Sequence, residues 1–204
     1  VFPYQTVEEA KKDGKIVVES FLDGFMIQCF LIQGQSQWHI ASRSKLDATG
    51  TFYSSKTFRQ LFLEAFLDGP SGTVEEWENQ YQTAMNSISE DFPKGDYATC
   101  FTFLVQHNEN RMVSSIKKNQ VVLIQCAALS STGLVSVSDH IESFRGKEQA
   151  ILLPWNTSHQ GLTYAEIARI PAAPEDSLPI EEWIKKEMDQ QSWEFQGLIC
   201  KDDQ

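Results

Sequence analysis

Phe25-Met-Ile-Gln-Cys-Phe-Leu-Ile32, preceded by Ile16-Val-Val18 and Asp23-Gly24 and followed by Gln37-Trp-His-Ile40, is the stretch that decides the fold. Apolar and β-branched runs of strand length separated by Asp-Gly and Gly34-Gln35 read as meandering antiparallel strands over Lys15 to Ile40. On local evidence Asp23-Gly24 is a tight hairpin turn, since Asp-Gly supplies the positive backbone angles that such turns need.

Outward from there the period changes. Phe58, Leu61, Phe62, Ala65 and Phe66 recur at helical spacing, as do Trp77, Tyr81, Ala84, Met85 and Ile88 behind the capping box Thr73-Val-Glu-Glu76. A short first helix is expected from Thr6-Val-Glu-Glu9 to Asp13-Gly14. Strand character returns in Thr99 to Val105, Arg111 to Ile116 and Gln120 to Ala127, with a hairpin expected across Lys117-Lys118-Asn119. Short helical pieces are expected near Asp139 to Phe144 and Thr163 to Ala168, a last helix on the stripe Ile180, Trp183, Ile184 and Met188, and a final strand from Phe195 to Cys200. Strands in clusters with helices between them predict an α+β fold of two mostly antiparallel sheets flanked by helices, in a single domain over residues 1–204.

Composition narrows the function. The 204 residues are 41% hydrophobic and 22% charged, which excludes disorder for most of the chain. With 17 basic against 28 acidic side chains the net charge is −11, which disfavours nucleic acid unless the cations are gathered locally. No apolar run approaches the roughly 20 residues of a membrane span, and no secretory signal pattern opens the chain. Cys29, Cys100, Cys126 and Cys200 lie far apart with no Cys-x-x-Cys pair, which points to a reducing compartment and to no zinc site. A cytoplasmic location is expected on these grounds, and no secretion.

Most isolated chemical signals are weak. His39 alternates with Trp38 and Ile40 as a surface or half-buried packing residue on a strand, and His107, His140 and His159 have no partner at metal spacing and read as exposed loop histidines. Asn156-Thr-Ser158 matches a glycosylation pattern that means little without a secretory signal. Glu181-Glu182 and Lys185-Lys186 are spaced for pairs on a solvated helix face. No phosphate-cradling glycine loop, nucleophile elbow or His-Glu-x-x-His occurs.

Three segments together carry more. Val17-Val-Glu-Ser-Phe-Leu-Asp-Gly-Phe-Met-Ile-Gln-Cys-Phe30 followed by Trp38-His-Ile-Ala-Ser-Arg-Ser44 and Leu46-Asp-Ala48, then Thr99 to Val113, then Ile180-Glu-Glu-Trp-Ile184 leading to Glu194-Phe-Gln-Gly197, resemble in order the motifs of the phage-type RNA ligases, a branch of the covalent nucleotidyltransferases also found in large DNA viruses. The resemblance runs from Lys15 to the end of the chain. It implies a ligase-like fold whose nucleotide pocket lies between two antiparallel sheets. In that family a lysine amine attacks the α-phosphate of a nucleoside triphosphate, carboxylates hold the metal, and a terminal Lys-x-Lys strand polarises the phosphates.

This chain departs from the pattern at each reacting position. Phe21 stands at the lysine of Lys-x-Asp-Gly, Thr102 (or Phe103 with a one-residue slip) at the central-strand glutamate, and Gln196 at the glutamate before Gly197; the Lys-x-Lys strand would lie past Gln204, in a last strand or C-terminal extension. The resemblance leaves Asp23, Gly24, Arg43, Arg111 and Gly197 as nucleotide-contacting candidates, with Asn110 beside Arg111 in the same turn, no catalytic residue and no metal ligand. It implies a degenerate, non-enzymatic nucleotidyltransferase-like domain acting as a binding or assembly module, with a protein partner and at most weak binding of nucleotide or RNA. Two alternatives stand beside it. One is an active ATP- and Mg-dependent polynucleotide ligase or capping-type enzyme whose register has been misassigned; the other is a structural component of a large DNA virus particle.

Overall fold

The computed structural model describes residues 16–20, 22–90, 92, 94–110, 116, 118–133, 135–137, 162–164, 167–168, 180–190 and 198–202. They divide into two compact units.

The larger unit is built on a six-stranded sheet. Strands β2 (Phe25–Ile32), β3 (His39–Ser42), β4 (Ala98–Gln106), β5 (Gln120–Leu129) and β6 (Val135–Val137) follow the spatial order β3-β2-β4-β5-β6, all antiparallel, and β7 (Leu162–Tyr164) runs parallel to the start of β5. Helices α1 (Phe58–Phe66) and α2 (Val74–Glu90) join β3 to β4.

Both helices begin where their sequence provides reciprocal caps. The Gln60 N–H donates to Thr57 Oγ1 at 3.2 Å while Thr57 N–H donates to Gln60 Oε1 at 2.9 Å, and Thr73 and Glu76 make the corresponding pair at the start of α2. After α1 the chain turns through left-handed backbone at Asp68 (φ 55) and Gly69 (φ 73), which stops the helix. The two helices are clamped by Arg59, whose Nε and terminal nitrogen donate to the two Glu78 carboxylate oxygens at 2.5 and 2.6 Å.

One face of the sheet packs on these helices. Ile27, Cys29, Phe101, Phe103, Val105 and Leu123 meet Phe62, Phe66, Tyr81, Met85 and Ile88 in the core. Phe103 alone lies 5.8 Å from the Phe62 ring and 6.0 Å from the Phe66 ring, and each such fully buried side chain contributes about 2 kcal/mol. Gln82 of α2 completes the join at the strand edge: it accepts from Trp38 N–H and donates to Trp38 C=O, both at 2.8 Å, while Trp38 Nε1 donates to Asn86 at 3.0 Å.

The smaller unit holds a three-stranded antiparallel sheet in which β1 (Ile16–Ser20) lies between β8 (Ile167–Ala168) and β9 (Leu198–Asp202), together with α3 (Ile180–Asp189). Glu182, Lys185 and Lys186 are exposed on α3, as the solvated-face reading requires.

Several expectations are corrected. Asp23-Gly24 is not a hairpin turn, because β1 pairs with β8 and β9 while β2 pairs with β3 and β4. The first arm of the hairpin predicted over Lys117-Lys118-Asn119 lies outside the described residues except for Ile116, which belongs to no strand, and β5 pairs directly with β4, Gln106 facing Gln120. Thr163 and Tyr164, and Ile167 and Ala168, are in strands rather than a helical piece. The expected first helix and the piece near 139–144 lie outside the described residues. The α+β class and the antiparallel main sheet stand.

Candidate functional site

Thr102 sits in the middle of β4, and the strand register shows how Thr102 and Phe103, the two positions at which the resemblance expects an acid, are directed. Phe103 points into the helix-covered core and is fully buried, so Thr102 is the residue on the opposite face. There it pairs with Gln28 of β2 and Gln125 of β5, both exposed. The ladder is irregular beside it: Thr102 faces Gln125 while Phe103 faces Leu123, which leaves Ile124 as a bulged extra residue on β5. The rows on either side are Met26, Leu104 and Val122, and Phe30, Cys100 and Ala127.

This face therefore carries two exposed amides with the buried Thr102 hydroxyl between them, bordered by apolar side chains. Such groups donate and accept hydrogen bonds but carry no charge, so they neither neutralise a divalent cation nor exchange protons near neutral pH. Cys100, on the same face, has its thiol pushed up by burial, which suppresses the thiolate.

Gly24 lies half-buried at the head of β2 with Asp23 beside it. A Cβ at Gly24 would stand 2.6 Å from the Val105 carbonyl oxygen and 2.9 Å from Leu104 Cγ, so the close approach of β4 excludes a side chain there. Arg43 is exposed directly after β3, whose last residue Ser42 pairs with Ile27. The main sheet thus brings Gly24, Thr102 and the end of β3 onto neighbouring strands. In the smaller unit Ser20 pairs with Leu198, so the residue before the Phe21 position and the residue after Gly197 are partners. Phe21, Arg111, Gln196, Gly197, His140, His159 and Asn156 to Ser158 lie outside the described residues.

A second polar constellation escaped the sequence reading. His107, expected as an exposed loop residue, is 1% exposed. Its Nδ1 accepts the Glu109 N–H at 3.1 Å, which leaves the proton on Nε2, directed at Glu64 Oε2 at 3.2 Å. Glu64 also receives Lys56 Nζ at 2.9 Å, and the same amine reaches Glu109 Oε1 at 2.6 Å. Asn119 accepts the Asn108 N–H at 2.9 Å, and its amide nitrogen lies 3.0 Å from His107 Nε2. Glu109 and Glu64 hold the Lys56 amine above its usual range, Lys56 holds the Glu109 carboxyl below its own, and burial lowers His107 against the opposing pull of Glu64. An imidazole closed off from solvent cannot meet a substrate; this network clamps the exit of β4 onto α1. Its only sequence signal is Glu64 within the otherwise apolar run Leu61 to Phe66. The adjoining Asn110 is buried, with its Oδ1 unpaired.

Cys29, Cys100 and Cys126 are free thiols. No helix among the described residues is long and apolar enough to cross a membrane. The sequence matches no protein-family model and no curated protein.

Proposed function

We propose that this chain is a catalytically degenerate nucleotidyltransferase-like domain of the RNA-ligase type, which holds nucleotide non-covalently and serves as a binding module. The observation that carries the reading is the Gln28–Thr102–Gln125 row, where neutral side chains occupy the strand position at which the family resemblance calls for a carboxylate. Phe21 adds to it from the sequence, because a phenyl ring offers no lone pair to attack phosphorus.

The scaffold reading is supported by which segments are neighbours. The strand that follows Asp23-Gly24 pairs along its whole length with the central strand, and the strand that precedes Phe21 pairs with the one that follows Gly197.

The family's chemistry depends on a triphosphate with a divalent metal. Two amides and a hydroxyl do not fit that group, since hard divalent cations at phosphate are held by carboxylate oxygens. The fitting role is phosphate contact by guanidinium, for which Arg43 is exposed and Arg111 is the second candidate from the sequence.

The test is intact-mass measurement after incubation with ATP or GTP and magnesium or manganese, beside calorimetric titration with ATP in the presence and absence of a chelator. The expected result is an unchanged mass, with weak ATP binding that is indifferent to the chelator and reduced by Arg43→Ala. A mass increase of one nucleoside monophosphate, or binding that requires metal, would overturn the proposal.

A further inference from the structure

The turn that follows β4 is held by its backbone, and most of that hold passes through one residue. Asn108 N–H donates to Asn119 Oδ1 at 2.9 Å, Glu109 N–H to His107 Nδ1 at 3.1 Å, and Asn110 N–H to the His107 carbonyl at 3.0 Å. His107 thus receives two of the three turn amides. With its other ring nitrogen it faces Glu64 of α1 at 3.2 Å.

The two ring nitrogens answer to different elements. A second proton on the imidazole goes to Nδ1, where the Glu109 N–H already points, so one of the two donors has to leave. Nε2 keeps both its proton and the Glu64 carboxylate, and the positive charge strengthens that contact. The ring therefore stays on α1, and the turn is the part that yields. The groups facing the ring are Glu64 from α1, Lys56 from the loop before it, Glu109 from the turn itself and the neutral Asn119 from the approach to β5. Lys118, next to Asn119, pairs with Asp68 at 3.3 Å.

Two further features leave the closed turn lightly held. Lys56 restrains Glu109 at 2.6 Å, but the Glu109 side chain is 44% exposed, and a solvated ion pair of this kind holds weakly. Asn110 is 7% exposed with its Oδ1 unpaired, so the closed turn buries an acceptor that opening would hydrate. The apolar core around Phe62, Phe66 and Phe103 takes no side chain from Asn108 to Asn110, so the turn can move without disturbing it.

We propose that His107 is a proton-operated latch: its neutral ring holds the Asn108–Asn110 turn closed, and protonation at Nδ1 in mild acid opens that turn while the ring stays on Glu64 and the sheet and helices stay folded. The latch does not depend on the nucleotide reading above, and no ligand enters it.

The experiment is amide hydrogen exchange of the whole chain, resolved by residue in NMR, at about pH 8 and about pH 5.5 and corrected for intrinsic exchange rates, beside the ring nitrogen shifts of His107. The expected result is a severalfold loss of protection at Glu109 and Asn110 in acid, up to about tenfold for one proton taken up one pH unit below the ordinary imidazole value. Phe101 to Val105 of β4 should keep their protection. The ring should carry its proton on Nε2 at the higher pH and become imidazolium in step with the opening. In His107→Asn, whose Oδ1 accepts the Glu109 N–H but takes no proton, protection of the turn should be the same at both pH values. A ring protonated on Nδ1 at pH 8, turn protection unchanged in acid, a loss shared equally by Phe101 to Val105, or the same acid loss in His107→Asn would overturn the proposal. The first three are read on the parent chain and decide the matter even where the variant fails to fold.

Discussion

Lowering the pH from about 8 to about 5.5 should cost this protein stability through one side chain, His107. In the folded chain its Nδ1 is the acceptor of the Glu109 N–H, and burial lowers its basicity from the ordinary 6.5, with Glu64 pulling the other way. In the unfolded chain the ring takes up a proton as the pH falls through 6.5. The contribution of the neutral ring is therefore whole above that pH, declines as the pH falls towards the lowered folded value, and is flat below it. One proton sets an upper slope of about 1.4 kcal/mol per pH unit inside that window. The structural cause is plain: a proton on Nδ1 would face the Glu109 N–H, turning an acceptor contact into an opposition of two donors. Urea unfolding followed by tryptophan fluorescence at both pH values measures the loss. The comparison variant is His107→Asn, whose Oδ1 can accept the same N–H but does not titrate. It should cost about 1–2 kcal/mol near pH 8, from the donor withdrawn from Glu64, and should show a smaller pH-dependent loss than the parent. Equal losses in parent and variant, or an NMR titration of His107 with a midpoint at or above 6.5, would refute the reasoning.

Three further outcomes follow from the fold. Gly24→Ala should destabilise by about 2 kcal/mol in thermal unfolding, because the new methyl group meets the Val105 carbonyl at 2.6 Å; an unchanged melting temperature would mean that β4 can yield there. Thr73→Ala should cost about 1 kcal/mol and Thr73→Ser almost nothing, since only the hydroxyl that receives the Glu76 N–H is needed; equal losses would assign the effect to the methyl group. Cys29 and Cys126 should resist thiol reagents until the protein unfolds, burial having pushed the Cys126 thiol up to about 12 and Cys29 higher still; peptide mapping that finds either labelled in native conditions would contradict their placement in the core.

The helices were legible because their signals are local. The Thr73–Glu76 box and the apolar stripe of Tyr81, Met85 and Ile88 lie within a few turns of one another, and the structure uses them as read. Asp23-Gly24 misled for the converse reason. The dipeptide marks a change of direction, yet whether the flanking strands pair depends on what else competes for their edges, and β8 and β9 take both edges of β1. His107 was misjudged in the same way, since its burial rests on Glu64, 43 residues earlier in the chain.

At Thr102 and Phe103 the alternation of strand side chains guarantees that the two point to opposite faces, but not which face the helices cover; the packing of Phe62 and Phe66 against Phe103 decides it. The amino-acid sequence alone determined the α+β character, the helix starts and the uncharged side chains of Phe21, Thr102 and Gln196, because capping, periodicity and side-chain chemistry belong to single residues and near neighbours. Strand partnership and the clamp around His107 were decided only by tertiary structure, since pairing and burial are settled by contacts between segments that leave no mark on one another's local pattern.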